Sequence, residues 1–309
     1  MTNVNYPHMI EQLSGIIQSL AQTELMSRFQ AGLMFSANAP DAKSNDAKTD
    51  DANARGTNAW RIKGDGSLVT DADKAMQHGL QAALAQQWPH ISFVGEEMDD
   101  AEQRRILASL TANGSSDSPA KAYWCLDPLD GTTNFAAGIP FFSVSLALIE
   151  NGQVALGVVY DPIRRECFSA YRGSGVYLNG VPLAQEATGQ ESGPALSELI
   201  AVVDLKRLPA PLAQQIATQH PFRSQRNFGS SALEWCWLAT GRFQLYLHGG
   251  QKLWDYAAGR LILDAASGVV STIEGQRTFE ISLDAQSVVA ATNLQLYQCW
   301  YDWVAANKN

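Results

Sequence analysis

The chain is 309 residues long, 46% apolar and 17% charged, with 31 acidic against 22 basic side chains and a formal net charge of −9. Length and composition are those of an ordinary globular protein with a core in one large domain or two moderate ones. The acidic balance, with a pI near 5.0, excludes a general binder of the nucleic-acid backbone, which requires a basic face.

The same balance would repel a phosphorylated ligand unless bound divalent cations reversed the sign locally. The four cysteines, Cys125, Cys167, Cys236 and Cys299, are far apart and form no CxxC pair. Their apolar or aromatic neighbours imply buried thiols, and neither a disulfide framework nor a zinc site is expected. Met1-Thr2-Asn3-Val4-Asn5-Tyr6-Pro7 lacks the basic and apolar regions of a signal peptide. No window approaches the ~18 continuous apolar residues of a membrane span. A cytoplasmic protein without a membrane partner is expected.

In chain order, Ile10, Leu13, Ile17, Leu20, Leu25, Phe29 and Leu33 predict a long amphipathic helix over residues 8–35. Residues 36–58 are rich in Ala, Asp, Asn and Lys and read as a flexible insert. A turn at 63–67 leads to a short strand and a capped helix over 71–87. A strand at 91–94 delivers Gly95-Glu96-Glu97, and a helix over 101–111 and a loop at 114–118 follow. Strands are predicted at 122–127, 141–149, 153–160, 166–171 and 175–178, and Asn151-Gly152 between two of them marks an antiparallel hairpin.

Residues 184–194 are polar and form the candidate junction between an N-terminal α+β domain, 1–186, and a C-terminal α/β domain, 187–309. In the second part, strands near 197–203, 242–247, 268–272 and 286–291 alternate with helices near 210–219, 230–240, 255–267 and 293–306.

The stretch that carries chemistry is Trp124-Cys125-Leu126-Asp127-Pro128-Leu129-Asp130-Gly131-Thr132-Thr133-Asn134-Phe135. Asp127 is expected at a strand end, stopped by Pro128, which cannot donate to a sheet ladder. The turn brings Asp130 back beside it. Carboxylates held that close repel unless a cation lies between them, and the N–H groups from Gly131 onward are placed to face an anion.

This run resembles the signature of the inositol monophosphatase family of Mg2+-dependent, lithium-sensitive phosphomonoesterases. Two further segments match in order: Gly95-Glu96-Glu97, and Trp254-Asp255-Tyr256-Ala257-Ala258-Gly259, with Asp255 expected at or near a helix N-cap. Leu68-Val69-Thr70-Asp71-Ala72-Asp73 resembles a fourth. The resemblance implies an α/β (α+β) fold, a layered α-β-α-β-α sandwich. It also implies that Glu96, Asp127 and the Leu129 carbonyl bind one Mg2+, that Asp127, Asp130 and Asp255 bind a second, and that a third ion near Glu96 is compatible. Thr132, oriented by Asp73, and Glu96 would position a water, while Gly131 and Thr132 would hold the phosphate. Glu97 would support Glu96.

For the substrate, the Thr132-Thr133-Asn134-Phe135 form resembles inositol phosphatases and related fructose-1,6-bisphosphatases rather than relatives with Lys in place of Thr133. The implied ligand is a small sugar or cyclitol phosphate, inositol 1-phosphate first. Gly229, Ser230 and Ser231 match a segment lining the substrate pocket. His248 stands seven residues before Asp255, where the family commonly has a Glu that binds inositol hydroxyls. The alternatives are another small-phosphate phosphatase or a regulatory binding protein on the same fold, and the resemblance implies a homodimer.

Overall fold

The computed structural model describes residues 4–37, 60–62, 68–111, 122–184, 195–277 and 281–309. Most of the expected insert at 36–58, the turn at 63–67, the loop at 114–118 and the junction around 186/187 lie outside the described residues.

The first helix begins as α1 (Tyr6–Leu20), continues through a π-helical segment (Ala21–Met26) and ends as α2 (Ser27–Ala37). The π segment has a physical reason. The buried residues Leu13, Ile17, Ala21, Leu25 and Phe29 recur every four positions, and at 3.6 residues per turn each such step drifts by ~40°. A wider π turn in the middle returns the apolar stripe to one face.

Strands β1 (Trp60–Ile62) and β2 (Leu68–Thr70) form a small antiparallel pair, and α3 (Asp71–Gln87) starts from β2. Thr70, not Asp71, caps α3: its hydroxyl accepts the Ala72 N–H, and Asp73 reaches back to its backbone. Then follow β3 (Ser92–Gly95), α4 (Asp100–Thr111), β4 (Ala122–Asp130), the short α5 (Thr132–Ala136), β5 (Ser143–Glu150), β6 (Gln153–Asp161), β7 (Glu166–Tyr171), β8 (Tyr177–Leu178) and β9 (Val181–Pro182). Strands β3 to β9 form a seven-stranded sheet in sequence order, antiparallel except for the parallel β3–β4 pair. Asn151 and Gly152 both have positive φ, 51° and 73°, the geometry of a two-residue hairpin turn.

The C-terminal part contains β10 (Ile200–Asp204), α6 (Ala210–Gln219), β11 (Ser224–Arg226), α7 (Ser231–Ala239), β12 (Leu245–Gln251), α8 (Leu253–Ala265), β13 (Val269–Ser271), β14 (Gln286–Ala291) and α9 (Leu294–Asn307). Its five strands are ordered β11-β10-β12-β14-β13. Neither β1 nor β11 was anticipated from the sequence; both are three residues long, too short for a period-two signal to stand out.

Strand alternation creates the layers. Trp124 and Leu126 of β4 face α1 and α3, whereas Tyr123 and Cys125 face α7 and α8. In the second sheet, Val202 and Tyr246 face the same middle helices, and Ala201, Val203 and Leu247 face α6 and α9. The order is the expected α-β-α-β-α sandwich, with α7 and α8 buried between two sheets.

Two expectations need correction. β4 does not stop at Pro128: the ladder with β5 resumes at Asp130↔Ser143 after an irregularity between Asp127 and Asp130, so Pro128 sits in a bulge, where its missing N–H is not needed. Cys299 is exposed, unlike the other three cysteines, because α9 turns Leu296 and Trp300 inward and position 299 falls on the opposite face. No helix among the described residues is long and apolar enough to cross a membrane.

Close approach of β6 to α8 fixes the middle layer. A Cβ on Gly157 would lie 2.8 Å from the Ala258 carbonyl oxygen. Gly157→Val is therefore expected to lower the unfolding free energy by about 1–3 kcal/mol, read from urea denaturation; unchanged stability would contradict this contact.

Candidate active site

The parallel register Gly95↔Leu126 sets Glu96 beside Asp127, and Glu96 N–H donates to the Leu126 carbonyl at 3.0 Å. The Glu96 carboxyl stands close enough to that of Asp127 to disfavour its charged form. Asp127 is buried and accepts the Leu129 N–H at 3.0 Å. Burial, then repulsion from Glu96, Asp130 and Asp255, pushes its pKa well above the carboxylate range.

The β4 bulge turns Asp130 toward the N-terminus of α7. Its Oδ2 accepts Ser230 Oγ at 2.6 Å and Ala232 N–H at 2.7 Å, and its Oδ1 accepts Ser231 N–H at 3.2 Å. These bonds favour the charged form, yet burial outweighs them and holds the pKa up at about 6. Gly131, with φ 95°, lets the turn pass close to Gly229: an added Cβ would be 3.1 Å from the Gly229 carbonyl. Asn134 clasps the same loop, donating to Phe141 O at 2.8 Å and Phe228 O at 2.7 Å.

Asp255 is the third residue of α8 rather than its cap. Lys252 holds the cap position, and its N–H donates to Asp255 Oδ2 at 2.8 Å. Burial, Asp130 and Glu96 together raise this carboxyl well above its usual value. On the other side, Thr132 Oγ1 lies 2.9 Å from Asp73 Oδ1 and 2.9 Å from the Leu129 carbonyl, so one hydroxyl proton has two acceptors. Asp73 also accepts the Thr70 N–H at 2.7 Å, and burial raises its pKa to about 6.

Glu96, Asp127, Asp130 and Asp255 thus lie within electrostatic reach of one another. Among the described residues, no three His, Cys, Asp or Glu side chains stand close enough to hold a metal ion by themselves. The donor set nevertheless fits hard divalent cations: it is all oxygen and mutually repulsive, with Asp127 and Asp130 buried and Glu96 and Asp255 half-buried.

The remaining expected residues take other places. Gly229, Ser230 and Ser231 serve Asp130; Ser230 is fully buried and also contacts Ser143 Oγ at 3.2 Å. His248 lies within β12, opposite Asp204. Its Nδ1 accepts the Gly250 N–H at 3.0 Å and its Nε2 is 3.6 Å from Asp204 Oδ2. Burial lowers its pKa to about 4, so it is neutral at pH 7 and both nitrogens face protein groups.

Sequence reasoning missed Glu234. It is buried in α7, where Oε1 accepts the Phe228 and Gly229 N–H groups at 2.9 and 3.1 Å, and Oε2 accepts Tyr246 OH at 3.0 Å. Tyr246 accepts from Gln251, which in turn accepts Trp235 Nε1–H at 2.9 Å. Glu234 therefore anchors the loop that holds Asp130. Its signal was an acid inside the apolar run Ala232-Leu233-Glu234-Trp235-Cys236.

A layered sandwich with a buried acidic cluster where β3, β4, α7 and α8 meet defines the class of protein. Residues 18–306 match the inositol monophosphatase family, and the chain belongs to that family. It is 35% identical to inositol monophosphatase 1 of Solanum lycopersicum over 78% of this chain and 83% of that one. It is also 34% identical to the Nus factor SuhB of Pasteurella multocida, over 71% and 76%. The fold matches that of the Thermotoga maritima IMPase with a TM-score of 0.66 at 21% identity, covering 97% of this chain and 100% of that chain.

Two outcomes are expected. Glu234→Ala leaves the buried Tyr246 hydroxyl and two partly buried N–H groups without an acceptor and costs about 2–3 kcal/mol, measured by chemical denaturation, whereas Glu234→Gln costs less. In EDTA, the raised carboxyls of Asp73 and Asp130, both near 6, and Glu234, near 7, favour the folded state when protonated. That stability is present in full below their unfolded pKa values and is lost as pH rises through 6–7. Lowering pH from about 8 to 5 should therefore raise the melting temperature of the metal-free protein; a flat or opposite trend would contradict the burial of these acids.

Proposed function

We propose that the protein is a Mg2+-dependent phosphomonoesterase acting on a small sugar or cyclitol phosphate, with inositol 1-phosphate the first candidate, by attack of water on phosphorus. The observation that carries this reading is the convergence of Glu96, Asp127, Asp130 and Asp255 on a site beside the Asp73–Thr132 hydrogen bond of 2.9 Å. Glu96, Asp127 and the Leu129 carbonyl would hold one Mg2+, and Asp127, Asp130 and Asp255 a second, with room for a third near Glu96. When bound, these ions supply Lewis-acid activation and neutralise charge on the phosphate.

The side chains divide the remaining work. Asp73 takes the Thr132 hydroxyl proton as a hydrogen bond, which leaves the Thr132 oxygen to accept one from the attacking water. Glu96 receives the other proton of that water and fixes its line of approach. The Gly131 and Thr132 N–H groups bind phosphate oxygens. The same reading includes a homodimer, as the resemblance implies, a cytoplasmic location, as expected from the sequence, and no direct contact with nucleic acid, consistent with a net charge of −9.

Asp127→Asn is expected to reduce Mg2+-dependent phosphate release from inositol 1-phosphate by about a hundredfold or more and to abolish the rise in melting temperature on Mg2+ addition. Near-normal turnover in that variant would sink the mechanism.

The 34% identity to Nus factors supports a second reading, a regulatory binding role on the same fold. Specific capture of transcription components that survives in Asp127→Asn would support it alongside, or in place of, catalysis.

A further inference from the structure

His248 was the sequence position singled out for substrate selection, yet its ring is committed to Gly250 and Asp204. An exposed cation, Arg207, also stands at this edge. It lies in the turn after β10, with φ 63°, a left-handed conformation that a non-glycine residue adopts at a cost. Lys206 N–H donates to Asp204 Oδ1 at 2.7 Å and ties the turn back to the strand.

The turn is seated directly on β12. A Cβ on Gly249 would lie 2.3 Å from the Arg207 carbonyl carbon and 2.5 Å from Leu208 N, so only glycine permits the approach. Arg207 Nη1 donates to the Gly250 carbonyl at 3.0 Å, at the point where β12 becomes irregular between His248 and Gln251. Five residues after Gly250 comes Asp255, the third residue of α8, so the strand that Arg207 grips leads directly into the acidic site. Arg207 is exposed, and no ion pair among the described residues includes it. A strained turn thus holds an exposed cation at the rim of an acidic site, spending one N–H on the backbone.

We propose that Arg207 is a specificity-determining residue, whose guanidinium receives a second anionic group, phosphate or carboxylate, on the part of the substrate remote from the ester that is cleaved. The proposal rests on the phosphatase reading above. Guanidinium suits this task because its fixed fork of donors binds phosphate or carboxylate oxygens in pairs. With His248 neutral, Arg207 and Lys206 outnumber the Asp204 carboxylate at this edge and set the local sign.

The test compares glucose 1-phosphate, glucose 1,6-bisphosphate and glucuronic acid 1-phosphate, with Mg2+, for the intact protein and for Arg207→Gln and Arg207→Lys, each confirmed folded by circular dichroism. The intact protein should favour at least one doubly anionic ester over glucose 1-phosphate in kcat/KM. Arg207→Gln should reduce that preference about tenfold or more, chiefly through KM, and Arg207→Lys should restore part of it. The two doubly anionic esters decide between phosphate and carboxylate. A preference that is absent, or unchanged in Arg207→Gln, overturns the proposal.

Calorimetric binding of non-hydrolysable phosphonate analogues of the same esters separates the two claims. Arg207-dependent binding with no phosphate release from these esters or from inositol 1-phosphate would refute the phosphatase reading and leave Arg207 as an anion-binding residue alone. Phosphate release with no dependence on Arg207 would do the reverse.

Discussion

Burial of like charge is the constraint on which the rest of the structure depends. Asp127, Asp130 and Asp255 are each held by short backbone or hydroxyl hydrogen bonds that favour the carboxylate. In every case burial and mutual repulsion win, and the pKa rises. Local donors therefore fix where these oxygens sit without offsetting the cost of charging them together. Only a cation between them does that, so the cluster is a functional expense rather than a source of stability.

The middle layer exists to meet that constraint. Helices α7 and α8 lie between two sheets, and their N-termini open on the same place. The start of α7 supplies two N–H groups and a serine hydroxyl to Asp130, an acid contributed by the other half of the chain. The start of α8 contributes Asp255 and steadies it on Lys252. Partial positive charge at both helix ends lowers the cost of gathering anions there. Asn134 and Glu234 then fix the 228–232 loop from opposite sides, which sets how closely Asp130 approaches its neighbours.

Much of this was legible in the sequence because the signals were local. Helix α3, the β5–β6 hairpin and the C-terminal alternation of strands and helices followed from periodicity, caps and the Asn151-Gly152 turn. The acids stood out because they lie in short runs with fixed spacing. What escaped was set by partners distant in sequence. Ser230 read as a pocket residue until Asp130, a hundred positions earlier, was found on its hydroxyl. His248 is a candidate substrate contact by sequence, and only the fold shows that β10 places Asp204 3.6 Å from it across the sheet. Glu234 gave a signal, a lone acid on an apolar helix, but its three donors come from a loop and from β12. Pro128 ended a strand by the local rule, yet the bulge absorbed it, and Cys299 kept apolar company in sequence while facing outward in space.

The Asp130 cradle has a further consequence for the life of the chain. The acid and its donors are a hundred positions apart, and Asp255 lies later still. During synthesis the first half emerges with Glu96, Asp127 and Asp130 in place, but with neither the cradle nor the last acid. The acidic site is therefore complete only once the second sheet has docked and brought α7 and α8 into register. On the reading proposed above, cation binding would report that the whole sandwich has closed.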